Sequence, residues 1–194
     1  MAQGPARGTE SDNGALPRLT LVMGGARSGK SRFAQHLVES AATKAPSGLY
    51  LATAEARDSE MAERIRLHRA ARDCRWETVE EPLELASTLE RHAGPDRPVL
   101  VDCLTLWLAN VIERGREPTI EIARLVDSLG RLDGPVVLVA NEVGLGLVPD
   151  NPVARAFRDH AGRLNQEIAA RAERVVLVAA GLPMILKDDK RLSA

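Results

Sequence analysis

The sequence predicts an α/β fold in which a mostly parallel sheet is covered by helices on both faces. Three observations lead there. Short apolar runs alternate with stretches of helical periodicity along the 194 residues, the βαβα order that builds a parallel sheet. Those runs are continuous rather than alternating, as in strands buried on both faces. One of them, 19–23, runs directly into Gly24-Gly25-Ala26-Arg27-Ser28-Gly29-Lys30-Ser31, a full match to G-x-x-x-x-G-K-[ST]. That pattern has structural meaning only between a strand and a helix, which is where it sits.

Each element follows in order. The strand 19–23 leads through the glycine-rich loop to a helix over 31–40. Residues 49–53 form a second strand. A helix over 58–72 starts at Asp58, a suitable N-cap. Another helix spans 83–92, a third strand 99–102, and a helix 104–114. A helix over 121–132 precedes a fourth strand, 136–140. In 153–173, Phe157, Ala161, Leu164 and Ile168 recur at helical spacing, and 175–179 is a fifth strand. Residues 18–187 form a single domain, with a polar Gly-, Pro-, Ser- and Asn-containing tail at 1–17 and a short tail at 188–194.

Composition excludes several functions. Lys and Arg number 26 against 27 Asp and Glu, a formal charge of -1, without the basic excess of a general nucleic-acid binder. Aromatic residues are 3%, too few for a base-stacking platform. No apolar stretch reaches the ~20 residues of a membrane span. The N-terminus lacks the apolar region of a secretory signal. Two cysteines, Cys74 and Cys103, make no disulfide framework. A cytoplasmic enzyme is the expectation.

The loop carries the chemistry. Gly24 and Gly29 allow backbone angles closed to other residues, so successive N–H groups can turn toward phosphate oxygens. The following helix adds its positive N-terminal dipole. Lys30 is placed to reach the β- and γ-phosphates, and the Ser31 hydroxyl to ligate Mg²⁺. Asp102 ends a strand at its carboxyl end, where open α/β sheets bind ligands. Its carboxylate holds the Mg²⁺, caps the helix at 104, or does both. After the fourth strand comes Asn141-Glu142-Val143-Gly144 rather than the Asn-Lys-x-Asp of a guanine-specific switch protein. At this length a small-molecule kinase or nucleotidyltransferase is the better class. The loop itself reads phosphates and does not choose the base.

Of four histidines, His36, His92 and His160 have ordinary helical settings. His68 lies in line with Glu60, Arg64 and Arg72 at four-residue spacing, beside Met61 and Ile65. Residues 64–75 carry five arginines against the one acid Asp73. Flanking cations disfavour imidazole protonation and attract a phosphate chain. His68 is thus either a neutral nucleophile or a partly buried structural histidine. Glu142, just past a strand, serves either substrate binding or base chemistry, or caps the loop before Pro152.

The glycine-rich loop, Tyr50-Leu51-Ala52-Thr53-Ala54, the stretch 58–69, Trp76-Glu77-Thr78-Val79-Glu80-Glu81-Pro82, Val101-Asp102-Cys103-Leu104-Thr105, Asn141-Glu142-Val143-Gly144 and Ala161-Gly162-Arg163-Leu164-Asn165-Gln166 come in one order. In that order they resemble the bifunctional adenosylcobinamide kinase/adenosylcobinamide-phosphate guanylyltransferase family, from about residue 18 to 187. The resemblance implies a RecA-like P-loop fold and a homotrimer. It implies ATP or GTP as phosphate donor for adenosylcobinamide. It also implies GMP transfer from GTP to adenosylcobinamide phosphate through a guanylyl-histidine at His68. The nucleotide contacts it implies are Ala52, Thr53 and Ala54, then Arg69, Ala70, Ala71 and Arg72, then Glu80 and Asp102. A plain P-loop kinase with a structural His68, or a GTP-binding protein without turnover, are the other readings.

Overall fold

The computed structural model describes residues 16–42, 48–59, 62–63, 65–66 and 76–189. Seven strands form one sheet: β1 (Leu19–Gly24), β2 (Gly48–Ala52), β3 (Trp76–Glu80), β4 (Val99–Asp102), β5 (Val136–Asn141), β6 (Arg174–Ala179) and β7 (Leu182–Asp188). Five helices among the described residues flank it: α1 (Lys30–Ala41), α2 (Leu85–His92), α3 (Leu104–Glu113), α4 (Pro118–Leu129) and α5 (Pro152–Arg171). The strand order is β3-β2-β4-β5-β1-β6-β7, with β1 to β6 parallel and β7 antiparallel to β6.

Two apolar layers explain the continuous strand runs. On one face Leu21, Leu51, Val101 and Leu138 pack with α2, α3, α4 and α5. On the other, Val22, Tyr50, Leu100 and Val139 pack with Ala34 and Val38 of α1. Successive residues of one strand serve opposite layers, as the pleat dictates. Each fully buried Leu contributes about 1.5–3 kcal/mol by area removed from water. Trp107 is buried in the first layer, its indole N–H satisfied by the Leu83 carbonyl at 2.9 Å.

The five expected strands are present, and helix boundaries shift where local chemistry sets them. The helix expected from 121 begins at Pro118, the residue type favoured at the first helical position, with Glu117 accepting from the Thr119 N–H. The helix expected from 83 begins at Leu85, because the Glu81 carboxylate takes the N–H groups of Leu83 and Glu84 at 2.9 and 2.7 Å. Most of the helix expected over 58–72 lies outside the described residues. At its start, the Ala62 N–H donates to the Asp58 carbonyl at 2.9 Å.

Two strands are additional to the expected five. β3 is an edge strand of alternating polarity with Glu77 and Thr78 exposed, so it carries no continuous apolar run. β7 folds back through Ala180 (φ 51°) and Gly181 (φ 80°), the two positive angles of a tight hairpin turn. It ends at Asp188, which is buried and paired with Arg174 at 3.2 Å. No helix among the described residues is long and apolar enough to cross a membrane. The tail at 1–17 lies outside the described residues apart from Leu16 and Pro17.

Candidate nucleotide site

The loop between β1 and α1 is held in shape by close packing. A Cβ on Gly24 would stand 2.5 Å from the Val178 carbonyl oxygen and 2.5 Å from the Ser28 hydroxyl, so only glycine fits. Gly29 has φ 95°, and the Ser28 carbonyl accepts from the Gly181 N–H at 2.8 Å. The β6–β7 hairpin therefore braces the loop from behind. α1 starts at Lys30 with no side-chain cap and no acidic residue in its first turn. Its leading N–H groups lack intrahelical partners and are available to an anion. Lys30 is buried, and its Nζ donates to the Gly25 carbonyl at 3.1 Å, across the loop. Ser31 follows in the same first turn.

Asp102 closes β4 two strands away. Register places Glu80, Ala52 and Asp102 in one row at the carboxyl edge of β3, β2 and β4. The Asp102 carboxylate accepts the Tyr50 hydroxyl at 2.6 Å. The residue preceding α3 is Cys103, with no side-chain cap, so Asp102 does not cap that helix. The carboxylate and the Ser31 hydroxyl are hard oxygen donors, the chemistry Mg²⁺ takes alongside phosphate and water.

Thr53 has a structural job here. It is fully buried, donates its hydroxyl to the Cys103 carbonyl at 2.7 Å, and accepts the Cys103 N–H at 2.9 Å. Its own N–H donates to the Asp102 carbonyl at 3.2 Å. Asn110 from α3 donates to the Thr53 and Pro82 carbonyls at 2.8 and 3.1 Å. The turn after β2 thereby clamps the end of β4. Burial pushes the Cys103 thiol up to about 11, with the Asp102 charge adding to the rise and Lys30 opposing it. Cys103 is a buried, inert thiol, as its position next to a strand end suggests.

Asn141 pairs with Gly24 across β5 and β1, and the Glu142 N–H donates to the Gly24 carbonyl at 3.0 Å. Glu142 is thus fastened to the first residue of the loop, while its carboxylate accepts the Gly144 N–H. Asn151, not Glu142, caps α5, accepting from the Val153 N–H at 2.8 Å.

The structure brings Gly24, Gly25, Ala26, Arg27, Ser28, Gly29, Lys30, Ser31, Ala52, Thr53, Ala54, Glu80 and Asp102 to one edge of the sheet. His68, Arg69, Ala70, Ala71 and Arg72 lie outside the described residues. Tyr50 is a site residue that sequence reasoning did not single out. An OH-bearing residue in a run otherwise fully apolar was the available signal.

A glycine-rich loop between strand and helix, with an acidic residue ending a strand two places away in the sheet, defines a P-loop nucleotide-binding domain of RecA-like arrangement. The chain belongs to the cobinamide kinase/cobinamide phosphate guanyltransferase family, whose model matches residues 20–186. It is an enzyme of that bifunctional family. It is 49% identical over 174 residues to the bifunctional adenosylcobalamin biosynthesis protein CobP of Pseudomonas aeruginosa, covering 87% of this chain and 97% of that one. It is 39% identical over 186 residues to the bifunctional adenosylcobalamin biosynthesis protein CobU of Salmonella typhimurium, covering 87% and 99%. Among solved structures, the flagellar accessory protein FlaH of Methanocaldococcus jannaschii is similar in fold, with TM-score 0.51 and 11% identity over 91% of this chain and 81% of that one.

Proposed function

We propose that this enzyme performs both reactions of its family at one nucleotide site, in adenosylcobalamin biosynthesis. In the first, a hydroxyl of adenosylcobinamide attacks the γ-phosphorus of ATP or GTP. The bond to the β-phosphate oxygen breaks, and the nucleoside diphosphate leaves. In the second, a ring nitrogen of His68 attacks the α-phosphorus of GTP and pyrophosphate leaves. An oxygen of adenosylcobinamide phosphate then attacks the guanylyl phosphorus. The P–N bond breaks, giving adenosylcobinamide-GDP and free His68. The observation that carries this reading is the uncapped start of α1 beside the buried Lys30, in a chain of this family.

Lys30 and the N–H groups of α1 neutralise charge on the leaving phosphates in either reaction. Ser31 and Asp102 would hold Mg²⁺, which supplies further neutralisation of the triphosphate. Thr53 acts on the nucleotide through the backbone it positions, since its hydroxyl is engaged with Cys103. Arg69 and Arg72 provide cationic contacts beside His68, Ala52 and Ala54 provide backbone contacts, and Glu80 contacts the nucleoside. The enzyme works in the cytoplasm, where nucleoside triphosphates are supplied, as a homotrimer.

The test uses GTP labelled at the α-phosphate. The wild-type protein should retain acid-labile, alkali-stable label, and His68→Ala should retain none. Lys30→Ala should lower both activities by about 100-fold or more, the scale of losing one transition-state donor. Retained label in His68→Ala would overturn His68 as the guanylyl carrier, and loss of only one activity in Lys30→Ala would contradict the shared site.

A further inference from the structure

A guanidinium stays charged at any physiological pH, so a buried N–H group of arginine without a partner marks a place for an anion. Arg158 has one. Its Nη1 is buried and has no hydrogen-bond partner among the described residues. It lies on the inward stripe of α5, one turn before Ala161, with Leu164 and Ile168 continuing the stripe into the core. Its neighbour Arg155 is spent differently, donating to the Pro149 and Asp150 carbonyls at 2.9 and 2.7 Å.

The level of Arg158 along the sheet follows from an anchor at the other end of the helix. The Glu173 N–H donates to the Leu19 carbonyl at 3.0 Å, so the end of α5 stands beside the start of β1. From Ala172 back to Arg158 the helix rises about 21 Å at 1.5 Å per residue. β1 rises only about 17 Å from Leu19 to Gly24 at 3.3 Å per residue. With α5 running back along β1, those lengths bring Arg158 to about the level of the carboxyl end of β1, the ligand edge. Phe157, beside it, packs against the same core as Met23 and Val143, which flank the loop and the end of β5.

Lys30 approaches that edge from the opposite side. α1 packs on the face of Val22 and α5 on the face of Leu21, successive residues of β1. One cation thus serves the loop, and a second waits across the edge from it.

We propose that Arg158 binds the phosphate monoester of the acceptor substrate in guanylyl transfer, opposite the triphosphate loop. This rests on the second reaction given above. Guanidinium N–H groups hold two phosphate oxygens in a fork and leave the third oxygen free. That oxygen forms the new bond to the guanylyl phosphorus as the P–N bond to His68 breaks.

The test compares wild type with Arg158→Gln and Arg158→Lys. Arg158→Gln should raise KM for adenosylcobinamide phosphate by about 10- to 100-fold, the span of one charge-assisted hydrogen bond. Arg158→Lys should recover part of it. KM for unphosphorylated adenosylcobinamide in the kinase reaction, and labelling of the enzyme by GTP alone, should stay at wild-type values. Calorimetric titration with methyl phosphate gives a readout independent of turnover: wild type binds and Arg158→Gln does not. Unchanged acceptor KM with unchanged methyl phosphate binding would overturn the assignment. So would loss of labelling from GTP alone, which would put Arg158 on the triphosphate. Absence of transfer in wild type with Arg158-dependent methyl phosphate binding would overturn the second reaction and leave the anion site standing. Circular dichroism and the melting temperature confirm that the variants fold.

Discussion

Tyr50 shows how one hydroxyl ties two strands together at the site. Its ring is buried edge-on against Trp76, with centroids 5.9 Å apart, and its hydroxyl donates to Asp102. Tyr50→Phe keeps the ring and removes only that donor. Hydrogen bonds to charged groups contribute about 1.5–3 kcal/mol, so the carboxylate loses a restraint of that order. The expected outcome is a KM for Mg²⁺–GTP raised by about 10-fold, with the same shift in direct nucleotide binding when Mg²⁺ is present and none when it is chelated. In the Asp102→Asn background the substitution should add little. Full additivity of the two changes would show that Tyr50 does not act through Asp102. Glycine at 24 and the Lys30-Ser31 pair are legible in sequence because their chemistry is local. The Tyr50–Asp102 bond spans 52 positions and becomes visible only when β2 and β4 pair.

At the scale of elements, the termini explain where prediction and structure part. Helix α5 begins where Asn151 and Pro152 require it to begin, and it carries Arg158 at a fixed height above the sheet. Asn151→Ala removes the cap and should cost about 1 kcal/mol. The check is a lower urea midpoint with an unchanged slope, and faster amide exchange in the first turn of α5. The missed strands are the two sheet edges: β3 is mostly exposed and alternates in polarity, whereas β7 carries a short apolar run, Leu182 to Leu186, that stays exposed and becomes a strand only by pairing back on β6 through the tight turn. β7 also shows why an edge matters to the site. Its turn places the Gly181 N–H on the Ser28 carbonyl, so an element without any recognised motif supports the phosphate loop.

For the molecule as a whole, one sheet shared by two apolar layers makes the fold cooperative. Leu125 of α4 is fully buried in the first layer, on the sheet face opposite α1. Leu125→Ala should cost about 2–5 kcal/mol of stability. Urea midpoints read by tryptophan fluorescence and by far-ultraviolet circular dichroism should fall together, with KM for GTP unchanged. Separate midpoints would mean that the two layers unfold independently. The near-zero net charge, which argues against a general polyanion binder, conceals buried cationic nitrogens on both faces of the sheet: Lys30 Nζ on the side of α1 and Arg158 Nη1 on the side of α5. The fold class, the strand-loop-helix context of the glycine loop and the family were already present in the sequence. Periodicity and a contiguous motif depend only on neighbours along the chain. The pairing of Tyr50 with Asp102, the engagement of Thr53 with Cys103 and the unpartnered guanidinium of Arg158 were decided by tertiary structure alone. Each depends on which strands and helices become neighbours, and on whether a polar group loses water when they do.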